Sequence, residues 1–138
     1  MADSRLSGYI EINLAWCQIR SESLHMNVTY ERVTNKFIAN EAHKRSLSVG
    51  LKNDLDQIPE LVDFYDFSVN EQCHEFDECD TLAPFIQAGK PVLNAEYLQK
   101  FSDDADDRRT LCNMVNNAQF STLVLPLDLD DSFRLSCF

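Results

Sequence analysis

The apolar positions of this chain fall in short runs separated by longer stretches with helical spacing. Tyr9-Ile10-Glu11-Ile12, Leu47 to Leu51, Pro91 to Ala95 and Phe120 to Leu125 are runs of strand length. Phe64 to Asn70 alternates instead. Tyr65, Phe67 and Val69 fall on one side and Asp66, Ser68 and Asn70 on the other, the period-two pattern of a strand with one polar face. Tyr30, Val33, Phe37, Ile38 and Ala42 follow helical spacing, with Thr29 placed to cap the helix start and residues 14–28 reading as a loop. A short helix over 54–62 is weakened by Pro59. Leu82, Phe85 and Ile86 mark a third helix, stopped at Gly89. Leu111, Met114, Val115 and Ala118 form the apolar face of a fourth, and Asp103 to Asp107 put negative charge at its start, where the helix dipole favours it.

The pattern predicts an α/β fold: five strands near 9–13, 47–51, 64–70, 91–95 and 120–125, alternating with four helices. Such alternation implies a parallel sheet with right-handed crossovers. It closes either as an open doubly wound sheet or as part of a (β/α) barrel. No Gly-x-Gly-x-x-Gly or Walker A sequence follows any strand, which removes support for nucleotide-binding versions. Three glycines and four prolines leave no linker, so residues 1–138 read as one domain.

Charge narrows the partners. Twelve Lys and Arg against 23 Asp and Glu give a net charge of −11, which repels nucleic acid and anionic membrane alike. No apolar run reaches the roughly 18 residues of a membrane span, and the first twenty residues lack the form of a signal peptide. The five cysteines, at 17, 73, 79, 112 and 137, are odd in number, so one is unpaired or bonded to another chain. Two readings remain. In one the cysteines are buried small apolar residues of a cytosolic protein. In the other, secreted, reading Cys73 pairs with Cys79 and Cys112 with Cys137, contributing about 2.4 and about 3.5 kcal/mol on the chain-entropy model. The sequon Asn27-Val28-Thr29 leans towards the second. Cys73, His74, Glu75, Glu78 and Cys79 include every common zinc ligand type. However, Cys-x5-Cys is not a usual zinc spacing and no second cysteine–histidine pair lies nearby, so no metal is expected.

In α/β folds chemistry gathers at the carboxyl ends of the strands. Those ends carry Asn13, then Lys52-Asn53-Asp54, Asn70-Glu71-Gln72, Glu96-Tyr97, and Asp128 with Asp130. Glu71 leads directly into the cysteine loop 73–79. Glycoside hydrolysis needs two carboxyls flanking the scissile bond, and Glu71 with Glu96 is a candidate pair.

Several of these segments resemble glycoside hydrolase family 114, which includes endo-α-1,4-polygalactosaminidases. They are Leu47-Ser-Val-Gly-Leu-Lys-Asn-Asp54, Phe64-Tyr-Asp-Phe-Ser-Val-Asn-Glu-Gln-Cys73, Ala88-Gly-Lys-Pro-Val92, Glu96-Tyr97 and Phe120-Ser-Thr-Leu. The resemblance runs over about residues 8–138 and corresponds to the carboxyl half of a (β/α)8 TIM barrel. It implies a secreted hydrolase of α-1,4-linked galactosamine or galactose polysaccharide, with no metal or organic cofactor, and it supports the Cys73–Cys79 and Cys112–Cys137 pairings. It carries the family's acid onto Glu71, keeps Lys52 and Asn53 as substrate-rim residues, and sets Asn13 where the family has a catalytic Asp; Asn70, Glu96 and Tyr97 join the substrate-binding rim from their places at the strand ends. An amide cannot act as nucleophile, base or acid. A carbohydrate-binding pseudoenzyme or an inactive truncated fragment is therefore the alternative function. Half a barrel leaves open sheet edges, for which self-association is expected, with Ile10 and Ile12 facing the barrel interior.

Overall fold

The computed structural model describes residues 9–13 and 24–137; Cys17 lies outside them. Strand β1 (Tyr9–Asn13) is followed by helix α1 (Leu24–His43), β2 (Ser48–Lys52), α2 (Ile58–Leu61), β3 (Phe67–Glu71) and α3 (Ala83–Gln87). Then come β4 (Val92–Glu96), α4 (Gln99–Asp103), α5 (Ala105–Asn117), β5 (Ser121–Val124) and β6 (Leu135–Ser136). The strands form one sheet in the order β1-β2-β3-β4-β5-β6, with β1 to β5 parallel and β6 antiparallel to β5. Strand order follows chain order with no reversal. That is the sequence of a barrel and not of a doubly wound sheet, and the fold is about half of a (β/α)8 barrel.

Three local expectations need correction. Helix α1 begins at Leu24, so Thr29 lies inside it and part of the expected loop is helical. The fourth crossover is two helices, since Asp104 ends α4 and caps α5 by accepting from the Asp106 and Asp107 amides at 2.7 and 3.0 Å. The two-residue β6 was not expected, because a strand this short carries no readable period. The disulfide Cys112–Cys137 ties its end to α5.

The core lies between one face of the sheet and the helices. Val49, Leu51, Val92 and Val124 pack there with Ala39 and Ala42 of α1, Leu61 of α2, Phe85 of α3 and Leu111 and Val115 of α5. Each large apolar side chain buried in this layer stabilises the fold by about 1.5–3 kcal/mol. Register fixes which residues belong to the layer. Leu51 pairs with Ser68, and Asn70 with Asn94, so Ser68, Asn70, Asn94 and Glu96 share the helix-packed face. The polar side of β3 is therefore the buried one, while Phe67 and Val69 are only half-buried. Ile10 and Ile12 pair with Val49 and Leu51. The expectation that Ile10 and Ile12 face the barrel interior concerns side chains that lie outside those described; in register Tyr9, Glu11 and Asn13 stand opposite Ser48, Gly50 and Lys52.

On the interior face Phe67 lies across Gly50. A Cβ on Gly50 would stand 2.3 Å from the Phe67 ring, well inside contact distance, so the ring occupies the space a side chain would need. Gly50→Ala is expected to destabilise the fold by about 1–3 kcal/mol in urea unfolding. The double variant Gly50→Ala/Phe67→Leu should lose less than the sum of its two singles, because the smaller side chain relieves the clash.

Candidate functional site

Each of β2 and β3 ends by turning through a left-handed residue, Asn53 at φ 53° and Gln72 at φ 62°. Both turns are anchored to the neighbouring strand, Asn53 N–H on the Val69 carbonyl and Gln72 N–H on that of Ala95, each at 2.8 Å. Asparagine and polar residues tolerate this conformation better than branched ones. The turns leave Lys52 and Glu71 as the last residues of their strands.

Glu71 is the hub. Its Oε1 lies 3.3 Å from the Lys52 ammonium and accepts a 3.0 Å hydrogen bond from the Tyr97 hydroxyl. Its backbone N–H donates to Asn53 Oδ1 at 3.2 Å. Burial pushes the Tyr97 phenol up to about 12, helped by its hydrogen bond to Glu71 and by the nearby Glu71 and Glu96. Tyr97 therefore stays a proton donor across the physiological range. Lys52, Asn53, Glu71 and Tyr97 thus meet at one point. Glu71 also borders a cleft of about 340 Å³ whose walls include Val69, Leu93, Leu123 and Arg134. Asn13 pairs in register with Lys52, which places its backbone on the same row.

Two residues read as rim contacts go elsewhere. Asn70 and Glu96 are 1% and 0% exposed. The partner of Glu71 across β4 is Ala95; Glu96, one position on, points to the opposite face. It therefore cannot flank a bond together with Glu71, and the candidate pair Glu71–Glu96 does not form. Instead Asn70 Nδ2 donates to Asn94 Oδ1 at 3.2 Å and Asn94 Nδ2 to Glu96 Oε1 at 3.0 Å. The backbone N–H of His74 donates to the same Oε1 at 2.9 Å. This chain runs beneath the rim and holds the loop after Glu71, which the Cys73–Cys79 disulfide also closes. Asp54 is turned to the helix side, accepting from Asn35 of α1 at 3.2 Å, and burial raises its pKa. Asp130 caps a surface turn by accepting from the Ser132 N–H.

Cys73, His74, Cys79 and Glu96 bring four potential metal donors within 4.8 Å of one another, with both sulfurs joined in the disulfide. Sequence reasoning missed this group because Glu96 comes from β4, 22 residues beyond His74.

Comparison with known proteins adds three findings. The model of glycoside-hydrolase family GH114 matches residues 15–138. Among solved structures, the crystal structure of Aspergillus fumigatus Ega3 in complex with galactosamine is similar, at 38% identity and a TM-score of 0.67. The match covers 77% of this chain and 44% of Ega3, so the chain spans less than half the length of that protein. No curated protein matches the chain.

The Tyr97 environment has a measurable consequence. The unfolded phenol ionises near 10 and the folded one near 12, so between these values the folded state holds more protons. Stability is then complete below about pH 10 and falls as pH rises towards 12. Tyr65, also pushed to about 12 by burial, acts the same way. Tyr97→Phe should remove one high-pH step from the ultraviolet tyrosinate titration and flatten the loss of Tm above pH 10. A lost step centred near pH 10 instead of near 12 would refute the buried, Glu71-bonded environment of Tyr97.

Proposed function

The chain belongs to glycoside-hydrolase family GH114, and from that membership we propose that it is a glycosidase acting on a polysaccharide of α-1,4-linked galactosamine or galactose, with Glu71 as a catalytic carboxylate. The observation that carries the reading is Glu71 fixed between Lys52 and Tyr97 at the carboxyl end of β3, beside an open cleft. Lys52, Asn53 and Tyr97 form the rim around it, and residues 1–138 act as one partial-barrel unit. Galactosamine bound to Ega3 supports an amino sugar as the ligand class. So does the net charge of −11, which attracts a polymer of protonated amines. Two disulfides support a secreted protein, and among the described residues no helix is long and apolar enough to cross a membrane.

A second reading, carbohydrate binding without turnover, is favoured by Asn13. Its position opposite Lys52 is that of the family's second acid in the sequence resemblance, and an amide supplies neither base nor nucleophile. On either reading Asn13→Asp should raise cleavage of α-1,4-polygalactosamine, measured as new reducing ends, and Glu71→Gln in that background should lower it again by several powers of ten. Equal turnover with and without Glu71 rules out its role. Wild-type binding with turnover only in Asn13→Asp selects the second reading.

A further inference from the structure

The cleft beside Glu71 carries a charged group that no part of the proposed reaction uses. Ala95, Leu123 and Ser136 stand level with Glu71 across β4, β5 and β6. Arg134 lies two residues before Ser136. Because β6 runs antiparallel to β5, that step carries Arg134 past this row, towards the carboxyl end of the parallel strands. Among the described residues, Glu71 and Arg134 are the only charged members of the cleft wall. The acids of the preceding turn, Asp128, Asp130 and Asp131, are exposed and do not line it. The backbone around Arg134 is held firmly. Phe133 lies beneath the Arg108 guanidinium, 5.7 Å from it to the ring centroid. Leu135 pairs with Val124, and Cys137 is bonded to Cys112 of α5. The Arg134 side chain itself is exposed and forms no ion pair with any described residue.

We propose that Arg134 sets sugar specificity: it makes the end of the cleft away from Glu71 a subsite for a neutral sugar and closes it to a sugar that carries a protonated amine. The inference rests on the glycosidase reading of this cleft, and at one position it chooses between the galactose and galactosamine which that reading allows. A guanidinium has five N–H donors and no acceptor. A sugar hydroxyl offers it an acceptor. A protonated amine has donors only, so it makes no hydrogen bond to Arg134 and is repelled by its charge. An anionic sugar is opposed from the other side, by Glu71 in the same wall and by the net charge of −11. A neutral sugar meets both conditions, and the side chains of Leu93 and Leu123 in the wall suit the carbon-bound face of its ring. Neighbouring strands lie about 4.8 Å apart, so the backbones of β3 and β6 are separated by about 14 Å of sheet. Arg134 and Glu71 therefore stand at opposite ends of the cleft, and an amino sugar at Glu71 is compatible with galactose at Arg134. The acidic surface gathers a cationic polymer, and Arg134 selects which of its sugars is seated.

Calorimetric titration of the full chain with α-1,4-linked tetrasaccharides of galactose, galactosamine and galacturonate reads binding without requiring turnover. The titrations are run at about pH 5, where the amines are protonated. Arg134→Gln should tighten galactosamine binding about tenfold. The same change should weaken galactose binding about fivefold, through the loss of one hydrogen bond. Arg134→Lys keeps the charge and should keep the discrimination against galactosamine. High salt should shrink the effect on galactosamine and leave that on galactose, since only the first is a charge effect. The proposal is overturned if Arg134→Gln leaves the ratio of the two affinities unchanged, or if the wild type binds galacturonate more tightly than galactose. Wild-type protein that binds none of the three overturns the glycosidase reading along with it. Binding with a ratio indifferent to Arg134 overturns this inference alone.

Discussion

The buried carboxyl of Glu96 is the constraint on which the upper end of the sheet depends. Placing such a group out of water is costly unless its oxygens are satisfied. Here one oxygen takes two donors, the Asn94 amide from its own strand and the His74 backbone N–H from the loop after β3. Asn94 in turn holds Asn70 of β3. The result is a polar chain that passes from strand to strand inside an otherwise apolar layer of Val49, Leu51, Val92 and Val124. Such a network forms only when strands β3 and β4 are in their observed register, so it specifies that register as well as occupying the layer. It also fixes the start of the 73–79 loop, and with it the backbone of the residue that ends β3. Glu71 thus owes its position to groups on the other side of the sheet.

Much of this was legible in the sequence, and the parts that were not share one cause. The order of elements, the parallel sheet, and the placing of Lys52, Asn53, Glu71 and Tyr97 at strand ends all follow from runs, periods and turn residues. Parity was the weak point. In Val92–Glu96 the strand ends one residue later than the apolar run suggests, and that single step moves Glu96 from the rim to the core. For β3 the alternation is legible, but which of its two sides the helices cover is not. In a half-exposed antiparallel sheet the polar side is the open one. In a barrel both faces are covered, so a polar row is admitted to the helix side once its members bond to each other, as Asn70, Asn94 and Glu96 do. Period two reveals that two faces differ; it does not reveal which one the helices cover.

The same parity argument locates where a second acid has to stand. Neighbouring strands lie about 4.8 Å apart, so β1 and β3 backbones are separated by about 10 Å across β2. Two carboxyls that flank a glycosidic bond stand roughly 5–9.5 Å apart. Side chains that leave strands two apart, on the same interior face, and lean towards each other fall in that range. Asn13 is level with Lys52 and Lys52 with Val69, so position 13 stands two strands away from Glu71 and two residues short of it along the strands. Adjacent-strand pairs on opposite faces, such as Glu71 and Glu96, never flank a bond. In the family resemblance position 13 belongs to the second acid, and this chain has an amide there. An asparagine side chain carries one donor group and one acceptor, both able to bond sugar hydroxyls. An asparagine does not move a proton as an aspartate does, so under the proposed function recognition and bond cleavage are separable at this one position.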